Sequence, residues 1–378
     1  MEQVPAGARF VRSFGPGEPV SLEKRYHLVP RGLTLVFSCA TYPAWNAYPA
    51  LFASLATGNP VLLKPHPGCI LPMARAVQLC RDELAASGVD PDAIQLALDH
   101  DGLIGLTLAD HPAVATLDFT GSPRFGAVLE QRRKRVYTET AGTNGVVLHS
   151  SDDLDATLLA IAHSFCCFSG QMCTTAQNVF VPEDGVHTPL GEVGPDEVEA
   201  RLVAAIDGLV EGPHVEALCG TVQDAATVDA VQGFDDVLRA PAALSYADWP
   251  QARTTSPVLV RGGGELHRRE HFGPIGFCIR VPDATEGLRQ ATRDAASCGA
   301  IASYVYATDP AFLDQAEQAF VQAGASVGFN LHRQRPINYA AAYSDFHVTG
   351  LNPAGTATLT DLAFVTDRFR VVQSKRER

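Results

Sequence analysis

The feature that most restricts this chain is the alternation running through residues 32–138, where short apolar runs are separated by longer amphipathic ones. "LTLVFSCA" (33–40), "PVLLK" (60–64), "AIQLAL" (93–98) and "VATLDFTG" (114–121) each read as a buried strand. Between the first two, "NAYPALFASLATG" (46–58) reads as a helix closed by Gly58. After the second, "LPMARAVQLCRDELAASG" carries Ala74, Val77, Cys80 and Leu84 at steps of three and four, with Gly88 as a helix stop. A short helix separates the last two strands. Strand and helix alternating at this spacing give a parallel sheet covered by helices on both faces, and such sheets bind ligands beyond the carboxyl ends of their strands.

A second alternating set begins beyond Val136. Leu154, Leu158, Ile161, Phe165 and Phe168 mark one face of a helix capped by Asp152 or Asp153 and broken by Gly170. Strand 178–182 and helix 195–210 follow, then a less regular stretch to about 255 and strand 257–262. Strand 275–281, helix 284–297, strand 300–308, helix 310–323 and strand 325–330 complete the set. The tail is polar and turn-rich before a final apolar strand, "RFRVVQ". At 378 residues, 46% hydrophobic and 19% charged, the chain has material for two or more cores.

A net charge of −13 disfavours a nucleic-acid partner, and the basic run Arg132-Arg133-Lys134-Arg135 reads as a solvated helix end. No stretch approaches the roughly 18 apolar residues that span a bilayer, and the opening "MEQVPAGARF" has no secretory pattern, so a cytoplasmic protein without membrane partner is expected. Nine cysteines without an export signal should be mostly free thiols.

Three of these cysteines fall within "SFCCFSGQMCTTAQNVFV" (164–181). The spacing offers neither CxxC nor HxxxH, so no metal site is expected. Cys166 and Cys167 sit in an apolar helix and read as packing. Cys173 differs, because it follows the "SGQ" break and precedes a strand. A loop thiol held between rigid elements is where a nucleophile is presented, although a bland loop cysteine has the same spacing.

Taken in order, "CATYPAWNAYP", "LATGNPVLLKPHP", "DFTGS", "YTETAGTNGVVL", "SGQMCTT" and "EHFGPIGF" resemble the motifs of the aldehyde dehydrogenase superfamily, over residues 33 to about 345. "FASLATGNPVLLKPHPG", "SGQMCTTAQN" and "SDFHVTGLNPA" with "DRFRVVQS" further resemble its PaaN-type phenylacetic-acid-degradation branch. The resemblance implies an α/β protein with a Rossmann-like cofactor domain (1–137, including an oligomerisation strand at 19–30), a catalytic domain (138–345) and an oligomerisation segment (346–378). It implies that Cys173 attacks an aldehyde, that the Asn46 amide and the Cys173 N–H hold the oxyanion, and that Glu139 activates the hydrolytic water. Read alone, Asn46 fits a helix N-cap and Glu139 a solvated strand end.

For the cofactor, NAD or NADP, the resemblance implies that Lys64 reaches the adenosine ribose or a phosphate and that Gly121 and Ser122 offer helix-terminal amides to the pyrophosphate. Glu270 and Phe272 would hold the nicotinamide ribose and ring. Relatives that prefer NAD commonly carry a glutamate where Pro67 stands. Without it a 2′-phosphate meets no repulsion and His66 would assist, so NADP is expected. The asparagine motif stands closer to Met1 than in most family members, which suggests a shortened front. A small aldehyde, a homodimer or higher oligomer, and, as alternatives, a coenzyme A-acylating enzyme or a silent scaffold subunit complete the expectations.

Overall fold

The structure, a computed structural model, describes residues 7–12, 16–17, 20–99, 103–140, 142–332 and 362–377. β1 (Gly7–Arg12) and β2 (Val20–Pro30) form an antiparallel pair. The chain then enters the expected alternation: β3 (Leu33–Ser38), α1 (Pro43–Ala56), β4 (Val61–Pro65), α2 (Ile70–Ala86), β5 (Ile94–Leu96), α3 (Ile104–Asp110), β6 (Val114–Gly121), α4 (Pro123–Glu130) and β7 (Arg135–Thr140). These five strands, β3 to β7, run parallel in the order β5-β4-β3-β6-β7. Side chains alternate across that sheet as strand geometry requires. Leu35 and Phe37 of β3 pack with Leu117 and Leu129 on one face, and Val36 packs with Leu51, Leu63 and Met73 on the other.

The second half starts with β8 (Gly145–Leu148), α5 (Leu154–Cys166) and β9 (Asn178–Pro182), followed by a hairpin of β10 (Val186–Thr188) and β11 (Gly191–Val193). α6 (Pro195–Val210) leads into the irregular stretch, which holds α7 (Val215–Leu218), α8 (Ala225–Val231) and β12 (Val237–Arg239). β13 (Val258–Arg261), β14 (Ile275–Val281), α9 (Ala284–Cys298), β15 (Ser303–Tyr306), α10 (Pro310–Ala323) and β16 (Val327–Phe329) follow. The seven-stranded sheet is ordered β12-β13-β14-β9-β8-β15-β16, parallel except where β12 meets β13. Val146 and Leu148 face the α5–α6 side, while Val147 and Phe180 face α9 and α10.

β17 (Phe369–Glu377) returns to pair with β2 along nine residues, making a separate three-stranded sheet. Just before it, Arg368 is fully buried. Its guanidinium donates two 2.8 Å bonds to the Asp118 carboxylate on β6 and a third to Ser54 Oγ on α1. It also stacks over the rings of Phe364 and Tyr137 at 4.3 and 5.0 Å.

Three local expectations change. Asn46 is not an N-cap: Tyr42 holds that position in a left-handed conformation, Pro43 opens the helix, and Asn46 lies inside it. Glu139 lies within β7 and is buried, not solvated at a strand end. Phe168 leaves the apolar stripe of α5, because the helix ends at Cys166 and Phe168 adopts φ +51, turning its ring edge-on to Tyr42. The boundary expected near 345 and the turn-rich segment after it lie outside the described residues.

Candidate active site

Cys173 stands on the loop between α5 and β9, and the loop's path is fixed from several sides. Gly170 makes the turn possible, since its φ is +63 and a Cβ there would run into the Gly273 carbonyl. Asn144 Nδ2 donates to the carbonyls of Cys173 (2.7 Å) and Thr175 (2.8 Å), while its Oδ1 accepts from the amides of Ile301 and Ala302. The whole amide is therefore satisfied, which ties the loop to the chain entering β15. Tyr304 Oη donates to the Thr174 carbonyl at 2.7 Å.

The opposite wall is the segment before β14, which carries Glu270 and Phe272. Gln177 Nε2 donates to the carbonyls of His267 and Arg269, and Gln177 Oε1 accepts from the His271 amide at 2.7 Å. Cys173, Glu270 and Phe272 together line a narrow, open cleft. Phe272 presents its ring there, 39% exposed.

Asn46 and Glu139 lie at the carboxyl edge of the five-stranded sheet, near the start of α1 and the end of β7, and are not among the residues lining that cleft. Their neighbour Cys39, one residue past β3, is a residue the sequence reading passed over. Asn46 Nδ2 donates to Cys39 Sγ at 2.9 Å, and Cys69 Sγ donates to the Cys39 carbonyl at 3.1 Å. Burial pushes the Cys39 thiol up to about 11, against the lowering effect of the Asn46 bond. Cys173 keeps some solvent contact, yet its thiol is pushed well up, first by burial and then by the acidic groups of Glu139, Cys39 and Glu270 around it. All nine cysteines are free, and Cys166 and Cys167 are buried as packing residues.

Glu270 is pushed up from 4.5 to about 8 by burial. A carboxyl raised on folding contributes stability that is complete below its unfolded value and is lost as pH climbs through the folded one. Glu270→Gln removes that titration. The melting temperature of the variant relative to wild type is expected to climb between pH 5 and pH 8, read by calorimetry in matched buffers, whereas a flat difference across this window would place the carboxyl in water.

The remaining predicted residues gather at the carboxyl ends of β4 and β6. Lys64 Nζ lies 3.0 Å from Asp99 Oδ2, with side chains 12% and 2% exposed, so the ammonium already faces a carboxylate that the sequence reading did not place there. His66 caps a short turn through Nδ1, which accepts from the Gly68 amide at 3.1 Å. Burial and the Lys64 charge hold its imidazole below the usual histidine range. Ser122 caps α4 by accepting from the Phe125 amide. At Gly121 a Cβ would lie 2.7 Å from the Phe119 ring, so the end of β6 stays stripped to backbone. A bare strand end beside a helix N-terminus, with a cation on β4, across β3 at the same end of the sheet, fits the phosphates and ribose of a dinucleotide.

A doubly wound sheet of order 3-2-1-4-5, set against a second α/β unit with a braced loop cysteine, defines a dinucleotide-type dehydrogenase architecture. The sequence model of the aldehyde dehydrogenase family matches residues 19–340, and the chain belongs to that family. Among solved structures it is similar to the NAD-dependent aldehyde dehydrogenase from Burkholderia multivorans, at 40% identity and TM-score 0.92, covering 100% of this chain and 70% of that one. The NADP-dependent glyceraldehyde-3-phosphate dehydrogenase from Bacillus halodurans C-125 shares the fold at TM-score 0.70 and 23% identity, over 98% of this chain and 74% of that one. Among curated relatives, aldehyde dehydrogenase LUC3 of Fusarium sp is 29% identical over 65% of this chain and 52% of its own length. The 1-pyrroline-5-carboxylate dehydrogenase of Bacillus pumilus (strain SAFR-032) is 26% identical over 75% and 57%. The chain thus spans little more than half the length of these two relatives. Among the described residues no helix is long and apolar enough to cross a membrane.

Proposed function

We propose that this chain oxidises an aldehyde to a carboxylic acid through a thioester on Cys173. The observation carrying this reading is a loop cysteine, Cys173, braced through its backbone by Asn144 and lining one cleft with Glu270 and Phe272. The thiol gives its proton to water in the open cleft as sulfur bonds to the aldehyde carbon, and the carbonyl electron pair moves onto oxygen. That oxygen is met by the Cys173 N–H and by Asn46, whose amide has two hydrogens: one is spent on Cys39 and the other is left for the oxyanion. One such donor is worth about 3 kcal/mol in the transition state. A nicotinamide dinucleotide, held by Lys64, Gly121, Ser122, Glu270 and Phe272, supplies the hydride acceptor when bound. Glu139 then takes a proton from water, whose oxygen attacks the thioester, and the C–S bond breaks to restore the thiolate.

Glu139→Gln is the direct test. It should lower steady turnover by about 10²- to 10⁴-fold while one equivalent of reduced cofactor still appears per subunit, and intact-mass analysis should find the acyl group on Cys173. Undiminished turnover would remove Glu139 from the reaction. Acceleration of the wild type by coenzyme A would point to release of the thioester to that thiol.

The PaaN-like segments support an aryl-substituted aldehyde from phenylacetate-type aromatic breakdown as the first substrate to try, and the cytoplasm as its setting. Pro67 taken alone supports NADP, and the Lys64–Asp99 pair supports NAD. Leu28, Val371 and Val372, exposed on the three-stranded sheet, support a homodimer or higher oligomer, a state that sedimentation velocity reads directly.

A further inference from the structure

We propose that Asp99 makes this site select NAD over NADP by neutralising Lys64. The inference rests on the reading of the five-stranded sheet as a nicotinamide dinucleotide site. In sheets of order 3-2-1-4-5 the adenosine ribose lies at the carboxyl end of the second strand, where an acid favours the free 2′-hydroxyl and a spare cation favours the 2′-phosphate. β4 is that strand. From Val61 to Arg81 it and the following segment contain no acidic residue, and Lys64 and His66 alone suggest a phosphate pocket.

The tertiary structure removes that suggestion. Asp99, three residues past the end of β5, reaches sideways and sets Oδ2 3.0 Å from Lys64 Nζ. The strand that lies second in the sheet lacks a carboxylate, and the strand beside it supplies one. His66 offers little in compensation: Nδ1 is spent on the Gly68 amide, and burial with the Lys64 charge disfavours its cationic form. Asp224 adds a second negative charge near that imidazole. A 2′-phosphate, carrying about −1.5 to −2 charge, would therefore have to draw Lys64 away from Asp99. That would strand a carboxylate whose side chain is 2% exposed, and breaking a buried pair in this way is strongly unfavourable. A vicinal diol asks for no such rupture, since hydroxyls donate to carboxylate and accept from ammonium.

The test is calorimetric titration of the cofactor-free protein with NAD, NADP, 5′-ADP and 2′,5′-ADP. Wild type should bind NAD at least about tenfold more tightly than NADP, with the same order for the two fragments. Asp99→Asn, which frees the Lys64 charge, should shift the NAD-to-NADP affinity ratio by about tenfold or more towards NADP, and Asp99→Ser serves the same purpose if the amide variant does not fold. A wild type that prefers NADP overturns the proposal, as do folded Asp99 variants with an unchanged ratio. Binding of neither dinucleotide to wild type overturns the underlying reading of the sheet, a result distinct from binding without discrimination.

Discussion

Cys173→Ala should abolish aldehyde oxidation, lowering kcat by about 10⁴-fold or more while the affinity for nicotinamide dinucleotide stays within about twofold. The size follows from the role, because without the sulfur no covalent intermediate forms and later groups have nothing to act on. The fold should tolerate the change. Braces on the loop use the backbone carbonyls of Cys173, Thr174 and Thr175, not the thiol. Cofactor absorbance over a panel of aldehydes measures the first effect and titration of the protein the second. Because burial and neighbouring acids push the Cys173 thiol well up, wild-type activity should also rise with pH above neutrality. Residual oxidation near wild-type level in Cys173→Ala would move the nucleophile elsewhere, with Cys39 the nearest alternative.

Arg368→Met should destabilise the protein by about 3–5 kcal/mol, the largest effect on stability expected of a single substitution here. The substitution preserves an apolar stem between Phe364 and Tyr137 but leaves Asp118, 3% exposed, without its bidentate partner. The cost is chiefly that of an uncompensated buried carboxylate. Converting both members, Arg368→Met with Asp118→Leu, should therefore recover much of the loss. Urea midpoints of the single and double variants measure this. A single variant within about 0.5 kcal/mol of wild type, typical of surface sites, would show that the pair contributes little.

The layout of both sheets was legible because it is written locally. Apolar runs of strand length alternate with helices that close on glycine, and β9, α6, β14 and α10 begin and end where the pattern places them. The loop placement of Cys173 was legible for the same reason, since it stands between a helix-breaking "SGQ" and a strand. What escaped the sequence depends on partners far apart along the chain. Asn144 looks like any loop asparagine until Ile301 and Ala302 come to its carbonyl oxygen. Cys39 gains interest only through Asn46, seven residues further on in the first turn of α1. The expectation of NADP came from one absent carboxylate at Pro67, and nothing in the sequence signalled that a carboxylate from the segment after β5, Asp99, pairs with Lys64. Phe168 was misplaced because periodicity cannot see the left-handed residues that end α5.

The Arg368–Asp118 pair also sets an order of events during synthesis. The two residues are 250 positions apart, so Asp118 leaves the ribosome roughly 10 to 50 s before its partner at about 5–20 residues per second. Throughout that interval the first sheet is built around an acid with no counter-charge. The nascent N-terminal half must keep Asp118 in contact with water, and its final closure belongs to the last stage of translation.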